Sequence, residues 1–150
     1  MISPVQQKRV MRIILTNETE YSLRTIRALA NGEKKAVKEI SENEQIPHKF
    51  AYKILKKLEK AGITQSIQGP DGGYRLVKPL DAFCLYDVVA AVEGDLLVYQ
   101  CLRSDRQCLR EPDRAMCSVH MEYVRIQRLL EKEMKSRTMA EVMGYGCPTL

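Results

Sequence analysis

The stretch PHKFAYKILKKLEKAGITQSIQGPDGGYRLV, residues 47–77, decides the fold of this chain. Pro47 cannot continue a helix but suits the first position of a new one, and Gly62 suits the position just after a helix end. Between them, apolar residues recur at the spacing of one helical face, namely Ala51, Ile54, Leu55 and Leu58. The pattern predicts an amphipathic helix over about 47–61 whose apolar face packs against the domain.

The opposite face of this helix is basic and carries one phenol. It presents Lys49, Tyr52, Lys53, Lys56 and Lys60. A recognition helix seats one face on its domain and offers the other to the major groove, with its N-terminal residues nearest the base edges. We therefore expect Lys49, Tyr52 and Lys53 to read bases and Lys56 to contact phosphates. An ordinary amphipathic surface helix has the same pattern and is the alternative.

A β-hairpin is predicted directly after this helix. Two short β-prone runs flank Gly69-Pro70-Asp71-Gly72-Gly73, a turn in which Pro presets φ, Asp bonds locally and Gly takes positive φ. A hairpin behind a recognition helix is a wing, and a small tip can approach a minor groove closely. The wing residues expected at DNA are Gln68, Gly69, Pro70, Gly72, Gly73 and Arg75.

Two shorter helices are predicted upstream of the recognition helix. Thr16 or Asn17 can cap the first, with Glu20 placed as in a capping box, and it ends at Asn31-Gly32. The second fits 36–43 and stops before Pro47. A short turn then separates it from the basic helix, which is the helix-turn-helix arrangement.

Charge and composition agree with a DNA-binding module. The chain has 150 residues and a net charge of +5, but residues 1–80 hold fifteen Lys/Arg against eight Asp/Glu, while residues 81–150 hold nine against eleven. A basic first half indicates a polyanionic partner. No apolar run approaches the ~20 residues of a membrane span, and no secretory leader is evident, so we expect a cytoplasmic protein with reduced thiols.

Three cysteines lie in a polar stretch further along the chain. Cys101, Cys108 and Cys117 are followed by His120, and arginines and aspartates fill the loop between them. Three thiolates and an imidazole make a four-ligand set that suits an iron–sulfur cluster or zinc. Their spacings of six and eight residues are wider than the two to four typical of structural zinc sites, which favours a cluster. Zinc and redox-sensing thiols remain alternatives, as does a surface role for His120.

A long helix is expected over 117–137. Its apolar stripe includes Val119, Tyr123, Ile126, Leu130 and Met134, widened by Val124 and Leu129. Such a stripe is most simply buried against a second copy of the chain, with packing inside one chain as the alternative. Cys84 lies in an apolar run, where a thiol usually behaves as a small buried hydrophobe.

The expected organisation is mainly α with a small β-hairpin wing. It comprises an N-terminal extension (1–10), a winged helix-turn-helix domain (11–80), a connecting helix (81–100), a cysteine loop (101–117), a dimerisation helix (117–137) and a flexible tail (138–150). No Ser-His-Asp set, supported carboxylate pair or nucleotide fingerprint is present, so we do not expect an enzyme.

Together these features resemble the bacterial winged-helix regulators of the IscR, NsrR and CymR type. The matching residues are Leu15-Thr16, Tyr21-Ser22-Leu23-Arg24, Ala61-Gly62-Ile63, the wing 69–74, Asp87-Val88-Val89, Glu93-Gly94 and the three-cysteine loop. The wing followed by a three-cysteine loop is a specific combination. The chain departs from the family's pattern in two ways. Its three loop cysteines are unevenly spaced, and Gln68 lies where the family often has Arg.

The resemblance implies a homodimeric transcription factor, commonly a repressor, acting on a palindromic operator in double-stranded DNA. It implies an iron–sulfur cluster, [2Fe–2S] in preference to [4Fe–4S], on Cys101, Cys108 and Cys117. His120 fits the fourth-ligand place, with Glu20 from a second subunit as its rival. One alternative is a cluster-free regulator of the same family, controlled by thiol redox or by a metabolic-enzyme partner. A more distant alternative is an electron-transfer iron–sulfur protein.

Overall fold

The computed structural model describes residues 15–145 except 106, 109 and 111. These residues form six α-helices, one two-stranded antiparallel sheet and three short 3₁₀ turns. The order is α1 (Asn17–Ala28), α2 (Val37–Asn43), α3 (His48–Lys60), β1 (Thr64–Ile67), β2 (Gly73–Leu76), α4 (Leu85–Glu93), α5 (Ser118–Lys135) and α6 (Met139–Val142). The mainly helical fold with a β-hairpin wing is confirmed.

Helix α3 is built as its spacing predicts. Ala51, Ile54, Leu55 and Leu58 are all fully buried. Ile54 and Leu58 pack with Ile26 of α1 and with α4, whereas Leu55 packs with Leu29 and with Ile40 of α2. Burying large aliphatic side chains of this kind contributes about 1.5–3 kcal/mol each, so tertiary packing fixes the orientation of α3.

A tight turn joins α2 to α3. Gln45 takes a φ of 53°, and the Ser41 hydroxyl donates to the Ile46 carbonyl at 2.6 Å. Pro47 precedes the helix as its N-cap residue, with a φ of −55°. Because Ile46 is buried next to this turn, the relative direction of the two helices is set locally.

The wing is fastened to the loop before α2. Strands β1 and β2 pair in the register Gln65 to Arg75 and Ser66 to Tyr74, and Tyr74 also exchanges two backbone hydrogen bonds with Lys35, of 2.8 and 2.9 Å. A Cβ on Gly73 would lie 2.4 Å from the Lys35 carbonyl oxygen. The close approach therefore requires glycine at position 73.

The main core extends beyond the predicted winged domain. Phe83, Val88 and Val92 share one apolar cluster with Ile26 and Leu58, so α4 is an integral part of the domain. The segment expected as a flexible tail also contributes, because Met139 of α6 is fully buried in this cluster. Its backbone N–H donates to the Phe83 carbonyl at 2.8 Å. For residues 138–145, the prediction of a tail was wrong.

Cys84 is half-buried, which corrects its assignment to the core. It is the N-cap residue of α4, where both its backbone N–H and its thiol face the Asp87 carboxylate, at 2.9 and 3.2 Å. Partial burial raises the pKa of the Cys84 thiol. The thiol therefore takes part in helix capping, a position that the apolar neighbours in the sequence did not indicate.

Helix α5 packs on α4 along only part of its length. Leu130 and Met134 join Val89 and Leu96 in a separate apolar cluster of the same chain. The buried Gln127 accepts a hydrogen bond from the Val98 N–H at 2.9 Å and donates to the Leu96 carbonyl at 2.7 Å. These contacts fasten the segment that leads to Cys101 onto α5.

Across the described residues, no helix combines the length and the apolar composition needed to span a bilayer. The predicted extension 1–10 and Cys147 lie outside the described residues.

Docking of α6 is expected to contribute measurably to stability. Met139→Ala deletes a fully buried side chain, so we expect the free energy of unfolding to fall by about 2–5 kcal/mol in urea titrations. Val142→Ala, at a residue that is 43% exposed on the same short helix, is the control and should change it by less than about 0.5 kcal/mol. Equal stabilities of the two variants would contradict the docking of α6.

Candidate functional site

The outer face of α3 displays the basic residues assigned to DNA. Lys49, Tyr52, Lys53 and Lys56 are exposed, on the side opposite the buried face. The structure thus places the four predicted helix residues on one solvent-facing surface. Phe50 borders it and makes an edge contact with Tyr21, with ring centroids 5.9 Å apart.

An acidic residue of α1 faces two of the α3 lysines. The Glu18 carboxylate lies 2.5 Å from the Lys53 ammonium and 2.5 Å from that of Lys57. Hydrogen bonding from Lys53, and then from Lys57, lowers the pKa of Glu18. Lys57 also donates to the Val92 carbonyl at 2.5 Å, so this ammonium ties α3 to the last turn of α4.

The end of α4 is held to α1 by a second carboxylate. Glu93 accepts hydrogen bonds from the Thr16 backbone, the Thr16 hydroxyl and, at 2.6 Å, the Thr19 hydroxyl. Burial raises the pKa of Glu93, but these hydrogen bonds outweigh it and the net pKa is lowered. The last turn of α4 is therefore hydrogen-bonded to the start of α1, the helix that carries Glu18 and its ion pairs with Lys53 and Lys57.

The wing tip is an exposed turn. Gln68, Gly69, Pro70 and Arg75 are exposed, whereas Gly72 and Gly73 are half-buried. A Cβ on Gly72 would meet the Ile67 carbonyl oxygen at 2.7 Å. Both half-buried glycines thus have a packing reason to be glycine, independent of any ligand.

A third acidic residue with several partners is Glu59, near the C-terminal end of α3. Its carboxylate lies 2.9 Å from the Lys56 ammonium and accepts a 2.9 Å hydrogen bond from the Ser66 N–H of β1. Hydrogen bonding from Ser66, and then from Lys56, lowers the pKa of Glu59 to about 2. The carboxylate is therefore ionised throughout the physiological range.

The three loop cysteines and His120 line one cavity of about 540 Å³. Tyr99 and Tyr123, with ring centroids 5.1 Å apart, contribute to its wall, and Arg110 and Arg114 line it as well. None of the described cysteines forms a disulfide. The structure thus brings all four predicted ligands to the same cavity.

Cys117 and His120 are positioned by the start of α5. Cys117 is the N-cap residue, and its sulfur accepts from the His120 N–H at 3.4 Å. The N-terminus of a helix is a favourable location for a negatively charged bound group. The Nδ1 atom of His120 is buried and has no hydrogen-bond partner among the described residues.

The ligands line the cavity without converging on one point. Among the described residues, no three His, Cys, Asp or Glu side chains lie close enough together to hold a single metal ion. Glu20, the rival fourth ligand, lies on α1 and pairs with Arg24 at 2.6 Å; it is not among the cavity-lining residues of its own chain.

One edge of α5 is apolar and exposed. Val119, Ile126 and Leu129 are 57%, 37% and 52% exposed. They belong to the predicted stripe, but its other edge, Leu130 and Met134, packs inside the chain. The expectation that the whole stripe faces a second copy was wrong for those two residues.

Several residues that organise these sites were missed by the sequence interpretation. Glu18, Glu59 and Glu93 hold the basic helix and its neighbours, and Gln127 positions the segment before Cys101. The Lys56–Glu59 spacing of three on a helix was a readable signal. The others contact residues distant in the chain, for which the sequence carries no comparable signal.

Comparisons with known proteins place the chain among transcriptional regulators. The family model Rrf2, described as an iron-dependent transcriptional regulator, matches residues 15–145. A protein of Aquifex aeolicus named as an HTH-type transcriptional regulator is 28% identical over 135 residues, covering 88% of this chain and 92% of that protein. Protein aau3 of Rhizobium meliloti is 34% identical over 92 residues, which is 60% of each chain.

Solved structures agree on the fold. CymR, the global cysteine regulator of B. subtilis, has a TM-score of 0.65 at 21% identity, covering 89% of this chain and 98% of that one. IscR of T. potens has a TM-score of 0.64 at 18% identity, covering 89% and 88%. The Aquifex protein and B. subtilis CymR are both named as regulators. With a winged helix-turn-helix in place and the family model matched over nearly the whole described chain, this protein belongs to the Rrf2 family of transcriptional regulators.

Proposed function

We propose that this protein is a cytoplasmic repressor that binds a palindromic operator as a homodimer, and that an iron–sulfur cluster at the cysteine cavity controls its operator affinity. The signal would be iron–sulfur status, oxidants or nitric oxide. The observation that carries the proposal is the lining of one cavity by Cys101, Cys108, Cys117 and His120 on a winged-helix chain.

The basic face of α3 and the wing supply the DNA contacts in this proposal. Lys49, Tyr52 and Lys53 lie in the N-terminal half of α3, the part of a recognition helix that reaches base edges. Lys56 contacts phosphate. Gln68, Gly69, Pro70 and Arg75 approach the minor groove or backbone, with Gly72 and Gly73 shaping the turn.

The exposed edge of α5 supplies the dimer contact. Val119, Ile126 and Leu129 adjoin the cluster that Leu130 and Met134 form with α4. A second copy seated there extends an existing apolar core and gives the two-fold symmetry that a palindromic operator requires.

The residues at the cavity fit a cluster. Thiolates are its usual ligands, and Cys117 lies at a helix N-terminus. The buried Nδ1 of His120 has no partner in the part of the chain that the structure describes. Cys101, Cys108, Cys117 and His120 would hold it, with [2Fe–2S] favoured over [4Fe–4S] and Glu20 of a second copy as the rival fourth ligand. When bound, the cluster supplies a centre that reacts with oxidants and nitric oxide.

The chain's own contacts provide a route from the cavity to DNA. The segment before Cys101 is fastened to α5 by Gln127, and the end of α4 reaches Lys57 through the Val92 carbonyl. Lys57 shares the Glu18 carboxylate with Lys53. A rearrangement around the cysteines that moves the end of α4 therefore changes the pairing of a DNA-contacting lysine.

A cluster-free regulator of the same family is the second candidate. It is favoured by the absence, among described residues, of three ligands converging on one ion, and by the fold similarity to CymR. In that case the same thiols, or a metabolic-enzyme partner, control operator affinity.

DNA binding is tested with an operator selected from random duplexes by the wild-type protein. Lys53→Ala should weaken operator binding about tenfold and relax the base preference at one operator position, because its contact is assigned to a base edge. Lys132→Ala, which removes one exposed cation from α5, is the control and should leave both unchanged. Identical binding by the two variants would contradict the assignment of α3.

Cluster binding is tested by anaerobic purification with iron and sulfide analysis and a visible spectrum. Wild type and Cys84→Ser should contain iron and acid-labile sulfide, and Cys117→Ser should lose both. Operator affinity should differ between the loaded and cluster-free proteins, because coupling must appear as a difference in binding free energy. Colourless wild-type protein would favour the cluster-free regulator, and equal affinities would rule out switching.

The dimer is tested by sedimentation. Ile126→Glu places a charge in the apolar edge of α5 and should convert a dimer to a monomer at micromolar concentration. Arg128→Glu changes the charge of the same helix outside that edge and should remain dimeric. A dimeric Ile126→Glu protein would contradict this interface.

A further inference from the structure

The contact between α3 and the wing has a carboxylate at its centre. One oxygen of Glu59 lies 2.9 Å from the Lys56 ammonium, and the other accepts the Ser66 N–H at 2.9 Å. The Glu59 side chain is 27% exposed, so solvent reaches it only in part. One side chain thus links the C-terminal end of the recognition helix to the first strand of the wing.

Strand β1 lies at the edge of a two-stranded sheet, so backbone groups on its outer side lack a neighbouring strand. Ser66 pairs with Tyr74 in the register, and its N–H is directed to Glu59. The carboxylate supplies the acceptor that a third strand otherwise provides. A hydrogen bond to an ionised group is among the stronger ones, which suits it to hold this short strand.

Lys56 adds a second link across the same junction. Its ammonium lies 5.9 Å from the ring centroid of Tyr52 on α3 and 5.9 Å from that of Tyr74 on β2. Tyr74 is buried and is bridged to Lys35, so it is a fixed point of the wing. The ammonium therefore bridges the helix and both strands, through Glu59 to β1 and through Tyr74 to β2.

We propose that Glu59 is a positioning residue for operator recognition, which fixes the wing relative to the recognition helix through Ser66 and Lys56. The inference rests on the proposed function, because it assumes that α3 and the wing contact one DNA duplex together. The expected change in DNA affinity on removing Glu59 is opposite to the usual effect of removing an acidic residue. Removing a negative charge near DNA ordinarily strengthens binding, whereas loss of Glu59 weakens operator binding because the wing is no longer held in place.

The test compares Glu59→Ala with Glu42→Ala, which also removes one acidic residue from the helix-turn-helix but only an exposed pair with Lys38. Glu59→Ala should bind the selected operator about tenfold more weakly than wild type and discriminate less against random duplex. Glu42→Ala should bind equally well or more tightly. Glu59→Asp keeps the charge but shortens the side chain, and it should also lose affinity. Equal or tighter operator binding by both Glu59 variants would overturn the proposal.

A double-mutant cycle separates positioning from a general effect on folding. Arg75→Ala removes a wing contact, so combining it with Glu59→Ala should cost less than the two single losses together. Combination with Lys49→Ala, at the other end of α3, should be additive. If the effect of Glu59→Ala on operator binding is additive with those of both Arg75→Ala and Lys49→Ala, action through the wing is excluded. Thermal unfolding of each variant checks that it is folded.

A DNA-independent measurement distinguishes failure of this inference from failure of the proposed function. Hydrogen exchange at the Ser66 amide should be faster in Glu59→Ala than in wild type and unchanged in Glu42→Ala. Unchanged exchange in Glu59→Ala overturns the link itself, whatever the DNA results. If the wild-type protein selects no operator while Ser66 exchange responds as expected, the DNA-reading role fails and the structural link stands.

Discussion

The burial of one face of α3 is the constraint on which the rest of the structure depends. Ile54, Leu55 and Leu58 are fully excluded from solvent and contact α1, α2 and α4. Rotation of this helix would expose them, so the lysines on its opposite side have a fixed direction. The basic face, the wing that follows it and the last turn of α4 are all arranged around that one packed surface.

Three carboxylates join the elements that surround this packed surface. Glu18 and Glu93 tie α1 to α3 and α4, and Glu59 ties α3 to the wing. Each is only partly exposed and accepts more than one hydrogen bond, which distinguishes it from an isolated surface pair of little energetic value. The acidic residues of a basic domain thus determine the direction of its cations.

The proposed regulatory path runs from the cysteine cavity to α3 and the wing. The sequence predicted the residues at both ends of this path, but not the contacts that connect them. Regular spacing predicted α3, and the turn sequence predicted the wing. The cysteines and His120 were identified by their chemistry, and the structure gathers them at one cavity. Glu18 and Glu93 act on residues 35 to 77 positions away, and no local pattern encodes such a contact.

The sequence by itself determined the elements whose signals are local: amphipathic helices, a Gly-rich turn and a set of soft ligands. Only the tertiary structure decided what those elements touch. It placed Met139 in the core instead of a tail, Cys84 at a helix cap, and the stripe of α5 half inside the chain and half exposed. The physical reason is that periodicity specifies which face of an element is apolar, whereas the shape of the surrounding core decides which apolar surface covers it.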